Sequence, residues 1–476
     1  MAGVKNSRWI NTRVVINMAT SEILEQEGYL YDGPVAEAAG VDTTVLSGLE
    51  KDIFEQGVSE GVNNAFPLKD VFQLVKVDYK GGAGHVFSHH NGRNVSPMAV
   101  REDGAFAEAG SQNHVKGRID VRKVMARLRM TAEAMEFYTS SEATYKNAMA
   151  DEKTRLVDDI AYRNETYLAT DGRGILGLVD EADPDGDTTL ELDAPGNITG
   201  DNFGNRFIQK GMYLVFVNPS TGAIRASTTK AKVTAVNSDG TDVTVDAAAN
   251  IGTAVANSDY VVQAANSAVT SVLDTSYEAA PWGLPALIDD STNRDNYFGL
   301  SRTDVPSLKS YVVASAGAFS LDLAQRTADV TNQKLGGEID MLVMHHSVRR
   351  EYIKLLDADR RYNDSQAQRP DGGTAAFKMG DLTLGGVAVK AIRSVGLDQV
   401  YFLDTKRSGF KQYQAEAGKF EERDGSIWQR DGSGSTAKHA FEAWWYQWYQ
   451  NFATNPGYNA RWDGVTGQTL VVVRAE

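Results

Sequence analysis

The sequence predicts an α+β protein in which mixed helices and strands enclose a small all-β segment. A polar hairpin over residues 71–130 leads directly into one long amphipathic helix. Residues 185–265 lack helical periodicity and instead contain short β-type runs between turn signals. Helix and strand patterns mix again after residue 304. A chain of 476 residues has room for roughly two to four such domains.

Composition excludes several classes of function. The chain has no Cys, which rules out disulfides, thiolate metal sites and Cys nucleophiles and is typical of synthesis in a reducing cytoplasm. A net charge of −15 argues against a surface that grips nucleic acid, because phosphate is bound mainly by Lys and Arg. No apolar run approaches the ~20 residues of a membrane span. We therefore expect no membrane insertion and no sequence-specific DNA binding.

The N-terminal 70 residues predict a docked arm rather than a domain. Short helical stretches at 20–25 and 49–54 are separated by Gly breaks, and the apolar content is thin for an independent core.

The hairpin that follows is the most informative segment. Strand-like edges at 71–77 and 121–130 flank a Gly- and His-rich middle. Legs of ~20 residues at ~3.3 Å each would reach roughly 60–70 Å. A ribbon of that length is barely stable by itself and needs another surface to lie on. This favours a protein that tiles with copies of itself.

The helix after the hairpin has both of its ends marked in the sequence. Residues 139–142 have the capping-box form, and residues 170–172 supply a Gly stop. Between these signals an apolar stripe follows the 3.6-residue repeat, formed by Tyr145, Met149, Leu156, Ile160 and Tyr167.

The β-rich segment and the C-terminal part complete the predicted order. Residues 185–265 indicate a small barrel or sandwich of ~80 residues. Beyond it the patterns predict a helix at 305–334, a buried strand at 339–344, a helix at 347–357, paired strands at 382–389 around Gly385-Gly386, a strand at 400–403 and a final strand at 470–473.

Three motifs that suggest ligands have simpler interpretations. The G-x-G-x-x-G at 172–177 follows a helix rather than a strand, which favours a helix C-cap over a dinucleotide site. The acidic run 181–186 begins like a calcium loop but places Leu192 where the bidentate Glu belongs, so we interpret it as a solvated linker. His85, His89 and His90 could bind Zn²⁺, but no nearby carboxylate would orient them, which favours polar residues at a contact surface.

The remaining candidates are weaker still. His345-His346 is typical of packing or capping. The aromatic run 444–449 is typical of residues that anchor the last elements of a domain rather than of residues that stack on bases or sugars. No hydrolase elbow, phosphate-binding P-loop or H-E-x-x-H helix is present. The sequence thus predicts no catalytic, cofactor-binding or metal-binding residues, and a protein that is not an enzyme.

The order of these parts resembles the major capsid proteins of tailed bacteriophages with the HK97-type fold. The matching segments are 125–137 for the return strand of the E-loop, 145–169 for the spine helix, 171–174 for its Gly turn, 341–347 and 384–389 for the axial domain, 402–404 with 409–410 for the next strand and turn, and 419–434 for the peripheral loop. The resemblance covers nearly everything except 185–265.

The resemblance implies a division of the chain into seven parts. They are an N-terminal arm (1–70), the E-loop hairpin (71–130), a peripheral domain with the spine helix (131–184), an inserted β-domain (185–265), a continuation of the peripheral domain (266–304), an axial domain (305–425) and a peripheral return (426–476).

The implied function is a head shell subunit. Such a protein self-assembles in the host cytoplasm into hexamers and pentamers of the virion's icosahedral shell, which encloses double-stranded DNA without reading its sequence. The partners implied are further copies, a scaffolding protein, the portal and a decoration protein. On the hairpin, the candidate intersubunit contacts are Lys80, His85, His89, His90, Arg93, Arg101, Glu102, Asp103 and Glu108.

Two departures from the family pattern and two alternatives remain, and the β-rich insertion at 185–265 is one of the departures. Some family members crosslink a Lys of the E-loop to an Asn of the peripheral loop. Lys80 or Lys116 could supply the first group, but residues 419–434 contain no Asn, so we expect a noncovalent shell. An encapsulin-like compartment would share the architecture. A secreted carbohydrate-binding or adhesive protein would instead need a signal peptide and clustered carboxylates, and the sequence displays neither.

Overall fold

The computed structural model describes most of the chain. The described residues are 8–9, 13–17, 22–27, 30–31, 68–76, 84–133, 148–181, 188–198, 200–225, 230–247, 251, 255–266, 268–363, 383–422, 426–431 and 438–467. The chain forms two compact units, residues 1–59 and 60–476.

The first unit contains two short antiparallel strand pairs. Its strands are β1 (Arg8–Trp9), which pairs with β4 (Leu30–Tyr31), and β2 (Arg13–Asn17), which pairs with β3 (Glu22–Glu27). The helix expected at 20–25 is wrong from residue 22 onward. The Val-Val-Ile run of β2 favours a strand, and its backbone provides β3 with a hydrogen-bonding partner that overrides weak helical propensity. The stretch 49–54 lies outside the described residues.

A five-stranded sheet and one long helix form the first layer of the second unit. The strands are β5 (Gln73–Lys76), β8 (Arg122–Thr131), β23 (Phe410–Phe420), β24 (Gln429–Arg430) and β25 (Ala440–Ala453). Strand β25 carries the aromatic run and pairs antiparallel with β8, β23 and β24, while β5 adds to β23 in parallel. The aromatic run thus anchors neighbouring strands, as the sequence indicates.

Helix α1 (Ala148–Ala169) lies against one face of this sheet. Its 22 residues make a rod of about 33 Å. Ile160 and Leu168 are buried, and Asn164 donates to Gln447 (3.0 Å) and accepts from the Tyr449 hydroxyl (2.8 Å). The helix stops where the sequence predicts, because Gly172 takes a left-handed conformation (φ 78°) that suits glycine. The capping box at 139–142 lies outside the described residues.

Residues 175–263 contain a closed six-stranded barrel. Its strands, all paired antiparallel, are β9 (Ile175–Val179), β10 (Thr189–Asp193), β11 (Tyr213–Val217), β12 (Ala231–Val236), β13 (Asp242–Val245) and β14 (Tyr260–Gln263). A barrel is one of the two architectures that the sequence indicates for this region. Strand β9 lies before residue 185, so the barrel begins within three residues of the Gly172 stop.

A second sheet of six strands forms the other layer. Its strands are β17 (Tyr311–Val313), β19 (Met341–Met344), β20 (Thr383–Leu384), β21 (Val387–Ala391), β22 (Val400–Leu403) and β26 (Ala460–Trp462), in the order β17-β26-β22-β19-β21-β20. The strand predicted at 339–344, the two paired strands at 382–389 and the strand at 400–403 are confirmed here. The turn at Gly385 (φ 58°) and Gly386 (φ 90°) is confirmed as well. The strand expected at 470–473 lies outside the described residues.

Helices and short strands complete the unit. They are α2 (Leu284–Leu287), β15 (Asn296–Tyr297) paired with β16 (Leu300–Ser301), β18 (Gly317–Ala318) paired with β27 (Val465–Thr466), α3 (Leu321–Leu335) and α4 (His346–Asn363). The predicted helix at 305–334 is wrong before residue 321. Residues 311–313 pair in parallel with β26, and Gly317 is left-handed (φ 67°), so the helix begins only after Ser320 caps the Leu323 N–H.

Candidate assembly surface

The hairpin has a shorter paired region than the sequence suggests. Strand β6 (His85–Gly92) pairs antiparallel with β7 (Asn113–Ile119), so each leg spans about 25 Å rather than 60–70 Å. The predicted outer edges at 71–77 and 121–130 do not pair with each other. They contribute β5 and β8 to the five-stranded sheet, because that sheet offers longer partners in β23 and β25.

The root of the hairpin is packed on its own chain. The Phe87 ring lies 4.7 Å from Phe452 and 6.4 Å from Tyr297, centroid to centroid. Gly117 lies beneath that ring, and a Cβ there would come within 2.4 Å of it, so only glycine fits without a shift. The backbone N–H of Arg118 donates to the Phe298 carbonyl (2.9 Å). These contacts fix the direction in which the hairpin leaves the body.

The three histidines of the hairpin have separate contacts. His89 is buried and shares a hydrogen bond with the Ser307 hydroxyl (2.7 Å), and burial, helped by the charge of His90, lowers its pKa. The His85 ring packs on Tyr413 with centroids 4.7 Å apart, whereas His90 is exposed and its ring centroid lies 5.1 Å from that of His114. Among the described residues no three His, Asp or Glu side chains are grouped to hold a metal. His85 and His89 thus hold the hairpin on its own chain.

The loop between the strands is the exposed part of the hairpin. We call residues 93–112 the hairpin loop; its neck is closed by Asn94, whose side-chain amide donates to the Gly110 carbonyl (2.9 Å). Val95 and Phe106 are 89% and 96% exposed, so the loop presents large apolar side chains to solvent. The charged candidates on the loop are exposed as well: Arg93, Arg101, Glu102, Asp103 and Glu108. Lys80 lies outside the described residues.

The other sequence motifs have structural roles. In the G-x-G-x-x-G, Gly174 is left-handed (φ 74°), and a Cβ on it would lie 1.9 Å from the Ser276 carbonyl oxygen, so no side chain fits there. Strand β9 follows directly, so the interpretation as a helix cap and turn is confirmed. His345 is buried, which lowers its pKa to about 3, and its Nδ1 accepts the Ser347 N–H (3.1 Å) at the start of α4. The possible calcium loop lies almost entirely outside the described residues.

A buried polar cluster that the sequence does not reveal joins the α2 segment to the six-stranded sheet. Asp289 accepts from Arg461 (3.3 Å) and lies 3.6 Å from Arg302, and both guanidinium groups also donate to backbone carbonyls around α2. Arg302 and Arg461 are essentially inaccessible to solvent. Buried charges of this kind are tolerated only when paired and hydrogen-bonded. The cluster therefore fixes the α2 segment against strand β26.

Asp398 lies at a second junction, between the barrel segment and the six-stranded sheet. Its Oδ2 accepts the Gly464 N–H (3.0 Å), its Oδ1 is buried with no hydrogen-bond partner among the described residues, and the Asp201 carboxylate lies nearby. Burial, with the charges of Asp201 and Asp463, raises the pKa of Asp398 to about 7.

This raised pKa predicts a stability that falls with pH. Because the folded state binds the Asp398 proton more tightly than the unfolded state, its contribution is complete below the unfolded pKa near 4 and is lost as the pH rises through 7. Between pH 5 and pH 8.5 we expect Asp398→Asn to gain about 2–3 kcal/mol in free energy of unfolding relative to wild type. Urea unfolding of both proteins at the two pH values measures this difference. A pH-independent difference would contradict the assignment.

The described helices include none that is both long and apolar enough to span a membrane.

Comparison with known proteins identifies a fold but no sequence family. No family model and no curated protein matches the chain. Among solved structures, the capsid asymmetric unit of cyanophage A-1(L) matches with a TM-score of 0.52 and 8% identity, over 90% of this chain and 100% of the cyanophage chain. The capsid of a native GTA particle (TM-score 0.46, 11% identity) and the SrpI encapsulin of Synechococcus elongatus (0.41, 9%) align over 90% and 91% of this chain, and over 100% and 99% of their own chains. The chain therefore has the fold of a phage capsid protein.

Proposed function

We propose that the chain is the major capsid protein of a tailed phage, with an HK97-type fold, that assembles into hexamers and pentamers of an icosahedral shell. The observation that carries this proposal is the fold shared with the cyanophage capsid protein over 90% of the chain. The proposed role is structural rather than enzymatic, and the shell encloses DNA without reading its sequence. The chain acts in the virion, after assembly in the host cytoplasm with scaffolding protein, portal and a decoration protein.

The proposed assembly uses the hairpin loop as a clasp. The root is fixed through Phe87 and His89, while Val95, Met98 and Phe106 are exposed where no part of the described chain covers them. Burial of such exposed apolar groups against a neighbouring subunit is favourable, because it removes them from water. Repetition of one modest contact around a closed shell gives a stable particle, because each added copy makes several contacts at once.

The proposed domains follow the described layers. The peripheral domain corresponds to α1 and the five-stranded sheet, the axial domain to the six-stranded sheet with α3 and α4, and the inserted domain to the barrel. In this scheme β9 belongs to the barrel, which moves the start of the inserted domain from residue 185 to about residue 175.

We expect the particle to be noncovalent. The peripheral loop 419–434 contains no Asn to react with a hairpin Lys, so boiling in SDS should release monomer near 51.8 kDa. Denaturing gel electrophoresis of purified particles measures this. A ladder of SDS-resistant oligomers would show covalent crosslinking and contradict the expectation.

Sedimentation of the full chain, purified after expression, tests the proposed function. A shell subunit should sediment as an assembly of many copies, whereas an isolated chain would sediment with the molecular mass of a monomer, 51.8 kDa. The contents of particles isolated with their native interior distinguish a phage capsid from an encapsulin-like compartment. Double-stranded DNA supports the phage function, and a packaged enzyme would support an encapsulin-like compartment instead.

A further inference from the structure

The outward face of the hairpin strands carries two histidines side by side. His90 of β6 and His114 of β7 are direct partners in the antiparallel register, and both side chains are exposed. The adjacent residues His89 and Val115 point to the opposite face, toward the body, and are buried or half-buried. The centroids of the two exposed rings lie 5.1 Å apart, and the ring planes are inclined by 51°. The two imidazoles therefore lie close together in contact with solvent.

The separation of these rings suits two ligands of one metal ion. Imidazoles that bind one tetrahedral Zn²⁺ through N–Zn bonds of about 2 Å have ring centroids about 5 Å apart. Stacked, parallel rings would hold their nitrogen lone pairs in separate planes. The planes of His90 and His114 intersect instead, so one lone pair from each ring can be directed at the same point.

Gln112 fixes the proton of the first ring. The Gln112 side-chain oxygen lies 2.6 Å from Nε2 of His90, and a carbonyl oxygen can only accept a hydrogen bond. Nε2 of the neutral ring therefore carries the proton, and Nδ1 keeps a lone pair that a metal ion can use. Histidines that bind metals in proteins commonly donate their other ring N–H to such an acceptor, which fixes the tautomer and the orientation of the ring.

The second ring has no competing partner. His114 makes no hydrogen bond or ion pair in the described part of the chain. The described residues add no third His, Asp or Glu to the pair, so two imidazoles supply two of the four tetrahedral positions and water completes the coordination. Imidazole suits Zn²⁺, Cu²⁺ and Ni²⁺, whereas Mg²⁺ and Ca²⁺ prefer oxygen ligands. The chemistry of the pair thus selects a transition-metal ion.

We propose that His90 and His114 form a binding site for one divalent transition-metal ion of the Zn²⁺ class, which joins strand β6 to strand β7. The site lies where the paired strands end and the hairpin loop begins. The bound ion restrains the strand ends that carry the loop, and it adds a metal-dependent stabilisation to the contacts of Phe87 and His89 at the root. Both ligands belong to one chain, so the site does not depend on shell assembly.

Titration calorimetry of the full chain with Zn²⁺ measures the site. We expect saturable binding of one Zn²⁺ per chain, which His90→Gln and His114→Gln should each weaken at least tenfold. Gln112→Ala should weaken it by roughly 10-fold or more, because loss of the acceptor on a ligating histidine typically costs about 10–100-fold in metal affinity. His439→Gln is the matched control, since it removes an exposed histidine outside the hairpin and should leave the affinity unchanged.

Hydrogen exchange of the same proteins locates the effect in the strands. Zn²⁺ should slow amide exchange in peptides that cover residues 85–92 and 113–119 of the wild-type chain, and it should have no effect on these peptides in the His114→Gln chain.

Three results would overturn the proposal. They are a wild-type chain that binds no Zn²⁺, binding that both His90→Gln and His114→Gln retain at full affinity, and exchange in the two strands that Zn²⁺ does not change. A chain that binds Zn²⁺ as expected but never forms particles would contradict the shell function alone, because calorimetry and exchange need only the folded chain.

Discussion

A chain that lacks residues 95–109, with Asn94 joined through two glycines to Gly110, folds but forms no shell. The deletion removes the exposed loop side chains Val95, Met98 and Phe106 and leaves the paired strands β6 and β7 intact. The root contacts of Phe87 and His89 also remain, so the core loses nothing. We expect the variant to sediment as a monomer with a circular dichroism spectrum and a cooperative thermal transition like those of other folded domains.

A loop of scrambled order provides the control for this deletion. The same 15 residues rearranged keep length and charge but separate Phe106 and Met98 from the acidic residues, so assembly should again fail if the contact is specific. Normal shells from the deletion would refute the clasp role of the hairpin loop. If the deletion prevents assembly but the scrambled loop gives normal shells, the loop acts through its length and not through its sequence.

Asp289→Ala lowers the free energy of unfolding by about 3–5 kcal/mol, because it leaves the buried Arg302 without a carboxylate partner and leaves Arg461 with Asp463 alone. Arg461 and Arg302 both face Asp289, and the backbone N–H groups of Ser291 and Arg294 donate to it (3.1 and 3.0 Å). Urea unfolding of the monomeric loop-deletion background measures the change without interference from shell assembly.

Asp290→Ala is the matched control, one residue along the chain. Asp290 is not fully buried, and its side chain accepts a hydrogen bond from the Thr292 N–H at the surface (3.0 Å), so its removal should cost under about 1 kcal/mol. Equal effects of the two substitutions would show that the buried cluster does not hold the α2 segment against β26.

Local patterns predict much of this fold. The stop of α1 at Gly172, the strand before α4, the Gly385-Gly386 turn and the β-rich segment follow from signals within a few residues of each element. The failures depend on distant partners. Residues 311–313 join the sheet only because they pair with β26, which lies about 150 residues further along the chain. In the same way, β5 and β8 do not pair with each other because they pair with β23 and β25.

The sequence likewise predicts only part of the candidate assembly surface. The sequence identifies the hairpin and its charged residues, but it cannot distinguish His85 and His89, which bind their own chain, from the exposed residues of the loop. The exposure of Trp448 is also hidden, because the run 444–449 suggests packing and only the pairing with β8 places Lys123 beside Trp448. The sequence does contain one signal of this surface, since the apolar residues Val95, Met98 and Phe106 lie among the polar residues of the loop.

Electron microscopy of the purified full chain tests the central claim, that this protein builds a closed shell from copies of itself. We predict closed particles of uniform diameter with icosahedral symmetry, in which the hairpin loop of each subunit contacts a neighbour. A field of isolated 51.8 kDa chains, or open aggregates without symmetry, would contradict the claim.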